Sequence, residues 1–217
     1  MIQLKNVSLS FQSERVLSNV SLSIDDGQFI GIIGQNGAGK TTLIRLILGI
    51  LKPTSGQVIR TKGNVSYVSQ TTSLSDSSFP SSVEEIVSLG LAAKKRSPFF
   101  SRVCKTRVEE TLKAMGIFDL RKKLLGELSG GQLQKVKIAK ALVSSPSVIV
   151  LDEPEAGMDE KSHGKLIETI ESLHAKSKMT VIFVSHHKHD LAKADRVFSV
   201  NNGKVLSVEG DDENVPF

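Results

Sequence analysis

With 217 residues, 39% of them apolar, and Gly and Pro spread along its length, the chain can bury one sizeable core but cannot hold two tandem copies of such a domain. The 28 Lys plus Arg against 23 Asp plus Glu give a formal charge of +5, which describes an ordinary soluble surface better than a nucleic-acid binder. The single cysteine, Cys104, excludes an internal disulfide and a cysteine-based metal cluster and suits a reducing cytosol.

In chain order, MIQLKNVSLSF alternates as a strand does and lacks the basic segment and apolar run of a signal peptide. Strands are predicted over residues 2–11, 16–24 and 29–33, followed by a helix through TTLIRLILGI that ends near Gly49, with Pro53 beyond. The longest apolar stretch, residues 43–51, is broken by Arg45 and is too short to cross a bilayer, so any membrane crossing belongs to another chain. Short strands follow at 56–59 and 65–69, and TTSLSDSS, residues 71–78, reads as a polar loop. From 81 to 145 the apolar spacing becomes helical in SSVEEIVSLGLAA, VEETLKAMG and GQLQKVKIAKALVSS. Strands resume at 148–151 and 180–184 around a helix at 161–176. The pattern closes with 196–200 and 204–208 about the turn Asn202-Gly203, and GDDENVPF is expected to fray. This alternation predicts an α/β fold with a mainly parallel core sheet, an N-terminal β part and an inserted helical block. The expected division is a core of 1–74 and 146–217 with a helical subdomain of 75–145.

The strongest chemical signal is GQNGAGKTT, residues 34–42, which matches the phosphate loop G-x-x-x-x-G-K-[ST] between a predicted strand, FIGII, and a predicted helix. Glycines 34, 37 and 39 let the backbone curl so that successive amide hydrogens face phosphate oxygens, and the helix start adds positive potential. The candidate nucleotide-binding residues are Gly34, Gln35, Asn36, Gly37, Ala38, Gly39, Lys40, Thr41 and Thr42. Lys40 can reach the outer phosphates and the Thr41 hydroxyl suits Mg²⁺. VIVLDEPEAGMD, residues 148–159, ends a buried strand in two adjacent carboxylates that alternation points in different directions. Asp152 suits the Mg²⁺ shell, and Glu153 suits polarising a water. A GTPase needs an Asn/Thr-Lys-x-Asp guanine reader, and the nearest match, HKHD at 187–190, begins with His. A small kinase leaves LSGGQ, residues 128–132, unexplained. There Ser129 is a good N-cap, and Gly130 and Gly131 leave amides bare at the positive end of the next helix.

The phosphate loop, LSGGQ and VIVLDEP, in this order and spacing, resemble the ATP-binding subunit of ABC transporters over almost the whole chain. The resemblance implies a head-to-tail homodimer in which Ser129, Gly130, Gly131 and Gln132 of one subunit close over ATP held by the other. It implies adenine stacking on Phe11, a Mg²⁺ and water contact from Gln70, a link between the two sites through Asp159, and a terminal-phosphate contact from His186. From the residues alone, Phe11 also fits the core at a strand edge, and Asp159 also fits a helix N-cap. Catalysis then falls to Glu153, His186 and Gln70, and Mg²⁺ to Thr41, Gln70 and Asp152. Glu155, Met158, Gln35 and Lys135 stand where the family usually has Thr, Leu, Pro and Arg, and Glu155 adds a carboxylate close to the dimer link.

His186, His187 and His189 also suit a metal tract. Neighbours at a strand end point apart, however, and only His186 and Asp190 have same-face spacing, so His187 and His189 are expected at a solvated helix start. The segment DSSFPSSVEEIVSLGL, residues 76–91, resembles importers of zinc or manganese, and siderophore and haem importers share much of it. The basic run Lys94, Lys95, Arg96, Arg102, Lys105 and Arg107, interleaved with Pro98, Phe99 and Phe100, fits a membrane partner, acidic lipid heads or a solvated loop. The resemblance thus implies an ATPase using ATP and Mg²⁺ at the cytoplasmic face of the membrane. Its implied partners are a multispanning permease and an extracellular or periplasmic solute-binding protein, with no nucleic acid. The alternative from another class is a soluble ABC-type ATPase acting on nucleic acid or ribosomes, whose relatives tend to carry two cassettes or coiled-coil insertions.

Overall fold

The N-terminal alternation becomes an antiparallel sheet. In the computed structural model, which describes residues 1–12, 14–61, 63–70, 80–94 and 100–208, β1 (Ile2–Phe11) lies between β2 (Glu14–Ile24) and β4 (Ser55–Arg60). Ile2 and Leu4 face inward, as do Val7 and Leu9, although the two pairs differ in parity. The register shifts between Leu4 and Val7, where Asn6 takes φ 48°; this bulge returns Val7 to the buried face.

The second sheet has six strands in the order β5-β6-β7-β3-β8-β9: β3 (Phe29–Ile33), β5 (Val65–Val68), β6 (Val148–Asp152), β7 (Thr180–Val184), β8 (Arg196–Asn201) and β9 (Lys204–Val208). Its pairings are parallel except for the β8–β9 hairpin, whose Asn202 and Gly203 both have positive φ, as a tight two-residue turn requires. Every residue of β3, β6 and β7 is buried, so these strands read as unbroken apolar runs rather than alternations.

Alternate residues of those strands feed two cores. Ile30, Ile32, Val150 and Ile182 pack with the antiparallel sheet and with Leu43, Ile44, Leu46 and Ile47 of α1 (Lys40–Leu48). Phe29, Ile149, Leu151 and Phe183 pack on the other side against α2 (Val83–Ser88), α3 (Phe100–Ala114), α4 (Gly130–Leu142) and α5 (Glu160–Ser177). The two cores enclose the central strands, so the ends of β3 and β6 flank the end of β7 on either side.

One element starts earlier than the periodicity predicts. α3 begins at Phe100 rather than near Val108, so Arg102, Lys105 and Arg107 ride on a helix and not on a loop. Residues 71–79, 95–99 and 209–217, which carry the expected polar loop, Phe79, part of the basic run and the fraying tail, lie outside the described residues, as do the side chains of Lys94 and Phe100. Among the described residues no helix is long and apolar enough to cross a membrane.

Candidate active site

β3 delivers the chain into the glycine loop at the point where its buried run ends. Gly34 passes so close to β8 that a Cβ there would sit 2.2 Å from the Val200 carbonyl oxygen, so no other residue fits. Gly39 caps α1 from the left-handed region at φ 106°, and its carbonyl accepts the Leu43 amide at 2.9 Å, which starts the helix. Gln35, Asn36, Gly37 and Thr41 are exposed, whereas Lys40 is buried to 6% exposure. Its Nζ donates to the carbonyls of Gly34 (2.7 Å) and Gln35 (3.3 Å), so the ammonium curls back over the loop's hollow.

The end of β6 places two carboxylates in different surroundings, as alternation predicts. Asp152, buried, accepts the Tyr67 hydroxyl at 2.9 Å. Burial holds its carboxyl above the ordinary range. The charge of Glu153 adds to this, while the Tyr67 hydrogen bond, Lys40 and Arg45 oppose it. Tyr67 in turn is pushed up, by burial first and then by Asp152. Glu153 leaves the strand at φ 49°, and that left-handed turn swings its carboxylate away from Asp152. Three side chains meet it: Lys40 Nζ at 3.4 Å, His186 Nε2 at 2.6 Å and Gln70 Nε2, which donates at 2.5 Å. The structure therefore brings Lys40, Gln70, Asp152, Glu153 and His186 together at one end of β3, β6 and β7.

Phe11 lies at the turn end of the β1–β2 hairpin, paired with Glu14 and 48% exposed, and so is not a core residue; Val16 and Leu17 of β2 back the loop at Gly39. Asp159 caps α5, its Oδ1 accepting the Ser162 amide at 2.9 Å. Ser129 caps α4, its hydroxyl accepting the Gln132 amide while Gln132 Oε1 accepts the Ser129 amide. Gly130 is exposed, and Gly131 rests 3.3 Å, at its would-be Cβ, from the Met158 methyl. α4 packs on α2, α3, β5 and α5, and α1 on β2 and β4, so LSGGQ and the phosphate loop belong to opposite layers of the chain.

Two expectations change. His187 and His189 are exposed at the start of a short helical turn, as expected, but they share one side: their ring centroids are 5.2 Å from each other, and both lie within 5.8 Å of His163 on α5. His187 is extended at φ −107°, ψ 117°, so residues two apart fall on one side, and a short 3-10 turn at Lys188–Leu191 holds them there. Glu155, expected as an extra carboxylate beside the dimer link, is buried and accepts the Ser185 hydroxyl at 2.8 Å. Burial raises its carboxyl above the ordinary range. Tyr67, Ser185 and His163 went unseen in the sequence; for Tyr67 the strand alternation of VSYV was the sole signal.

Backbone amides and Lys40 at a strand-to-helix turn can grip a triphosphate, and a buried carboxylate held beside them by His and Gln can orient water; the class is a phosphate-loop nucleoside triphosphatase. The family model for ABC transporters matches residues 17–156, more than half of the chain, and the chain belongs to that family: it is an ATPase that hydrolyses ATP with Mg²⁺ and couples this to transport. It is 36% identical over 215 residues to the high-affinity zinc uptake system ATP-binding protein ZnuC of Bacillus subtilis, covering 94% of this chain and 92% of that one. It is 37% identical over 206 residues to the energy-coupling factor transporter ATP-binding protein EcfA2 of Acetivibrio thermocellus, covering 88% and 72%. Its fold matches the dimeric structure of MJ0796, a bacterial ABC transporter cassette, at a TM-score of 0.83 and 28% identity, covering 97% of this chain and all of that one.

Proposed function

We propose that this chain is the energising subunit of an importer for a divalent metal ion, zinc or manganese. It works as a homodimer on the cytoplasmic face of a separate multispanning permease that a solute-binding protein supplies. The observation that carries the ATPase half is the convergence of Lys40, Gln70 and His186 on Glu153 at the mouth of the phosphate loop. The likeness to ZnuC supports the metal half.

The donors present fit Mg²⁺: the Thr41 hydroxyl, the Gln70 amide oxygen and the buried Asp152 carboxylate are hard oxygen ligands, and a cation there would favour the ionised form that burial opposes. When bound, Mg²⁺ neutralises charge on the outer phosphates. Lys40 trades the carbonyls of Gly34 and Gln35 for phosphate oxygens as ATP fills the loop. Glu153 then loses its cationic neighbour, stays hydrogen-bonded to Gln70 and His186, and accepts the proton of a water aligned with the terminal phosphate. His186 steadies that water and phosphate from the end of β7. The amides of Gly130, exposed, and Gly131, half-buried, at the start of α4 cover the triphosphate held by the opposing subunit. Phe11 supplies an exposed ring for the adenine, and Asp159 lies between the two sites.

The likeness to EcfA2 favours a second reading, in which the cargo is that of an energy-coupling factor transporter. Zinc and manganese uptake by cells lacking this gene separates the two. Loss of uptake of either metal is expected, and unchanged uptake of both overturns the metal cargo.

A further inference from the structure

Beside the hydrolysis site, α5 and the segment after β7 bring three imidazoles and a buried carboxylate together. His163 Nε2 and His189 Nε2 lie 2.9 Å and 3.0 Å from the same oxygen, Asp190 Oδ1. These three ligand atoms all lie within 4.8 Å of one another, and the His187 ring closes the group at 5.2 Å from His189 and 5.7 Å from His163. Asp190 is 1% exposed, and Oδ1 has no hydrogen-bond partner, nor does His163 Nε2, despite their short separation. The ring N–H axis is thus not aimed at the oxygen, as it is in a donor–acceptor pair. Leaving a carboxylate oxygen buried and unbonded is costly, whereas lone pairs that converge on a shared point are what a cation requires.

We propose that His163, His189 and Asp190 form a second cation site, distinct from that for Mg²⁺, which takes a divalent transition metal of the zinc class. Two imidazoles with one carboxylate are borderline ligands that suit zinc and fit Mg²⁺ poorly. Bonds of roughly 2.0–2.2 Å in a tetrahedral site set ligand atoms roughly 3.4 Å apart, so the two imidazole–carboxylate separations of 2.9 and 3.0 Å need only small spreading. The fourth position is open to water or to His187. Asp190 is oriented from behind: the Ser185 hydroxyl lies 2.5 Å from its Oδ2 and 2.8 Å from Glu155, and accepts the His187 amide at 3.0 Å. Such outer partners fix a ligating carboxylate in place. Ser185 directly precedes His186, so a bound cation stiffens the segment that presents His186 to Glu153. The site stands whatever cargo the permease carries.

Chelator-stripped full-length protein is titrated with Zn²⁺ by calorimetry in excess Mg²⁺, without nucleotide. The expected result is about one Zn²⁺ per chain with micromolar or tighter affinity, weakened about tenfold or more in His189→Ala and in His163→Ala. His189 is 74% exposed, so that variant keeps its fold even if His163→Ala does not. In Glu153→Gln the affinity is expected to stay within about threefold of the wild type. Absence of saturable binding, an affinity indifferent to His189→Ala, or loss of binding in Glu153→Gln, which would place the cation at the hydrolysis site instead, each overturns the proposal.

Discussion

Glu153 combines a strained backbone with a crowded carboxylate. Among the described non-glycine residues with positive φ, it is the buried one; Asn6, Gln12, Asn19, Ser145, Lys178 and Asn202 are all exposed. A left-handed residue of this kind costs roughly 1–2 kcal/mol, and here the hydrogen bond that the Glu153 amide donates to the Val184 carbonyl at 3.0 Å and the contacts of Lys40, Gln70 and His186 hold it. Glu153→Gln keeps the size and the contact to His186 but removes the proton acceptor. Turnover measured as phosphate release should fall by about 10²–10³, while nucleotide binding is retained. A variant with near wild-type turnover moves the base to another residue. VIVLDEP made both carboxylates legible, because a fully apolar run ending in two acids is informative by itself. Tyr67, Ser185 and His163 were not, because each acquires its meaning from a neighbour on another strand or helix. Nothing near His163 in KSHGKL hints at SHHKHD, and only the packing of α5 on the end of β7 joins them.

Helix starts carry much of the site's geometry. Asp159 ends the segment after β6 and begins α5, and its hydrogen bonds from the side chain and amide of Ser162 hold its carboxyl below the ordinary value of 3.8. A depressed folded value means that the ionised cap contributes stability above the ordinary value and loses it as pH falls through the folded one. Asp159→Asn caps nearly as well without the charge. The wild type should therefore be the more stable in urea at neutral pH, with the gap closing below about pH 4; a gap unchanged by acid would show that the charge on Asp159 does not support α5. Strands β3, β6 and β7 were readable to within a residue, since full burial on both faces demands an apolar residue at every position. The start of α3 was not. Its buried stripe runs from Val108 through Leu112 to Met115, and the turn before it offers only half-buried Cys104 among basic residues and a 62% exposed Val103. The bulges at Asn6 and Asn19 were equally silent, because a register shift shows in sequence only as a lapse in alternation.

At the scale of the molecule, the phosphate loop and LSGGQ sit in opposite layers, which a single chain cannot fold onto one nucleotide without breaking its cores. Two chains placed head to tail satisfy both. Gly130 tests this, because the protomer itself leaves it free: a Cβ there meets nothing nearer than the Gly157 carbonyl at 3.8 Å, and its φ is not left-handed. An acid at the first position of α4 even suits the helix dipole, so Gly130→Asp should fold as well as the wild type. It would nonetheless set a negative charge against the partner's triphosphate. ATPase activity should therefore collapse in Gly130→Asp and, for want of the phosphate-binding ammonium, in Lys40→Ala. In a mixed dimer of the two, one composite site pairs an intact Lys40 with an intact signature, and the other carries both lesions. Mixing the two inactive proteins should restore measurable phosphate release, and that release should depend on total protein concentration, as a dimer requires. If each protomer hydrolysed ATP alone, the mixture would stay as inactive as its parts, and the exposed Gly130 of α4 would need another purpose.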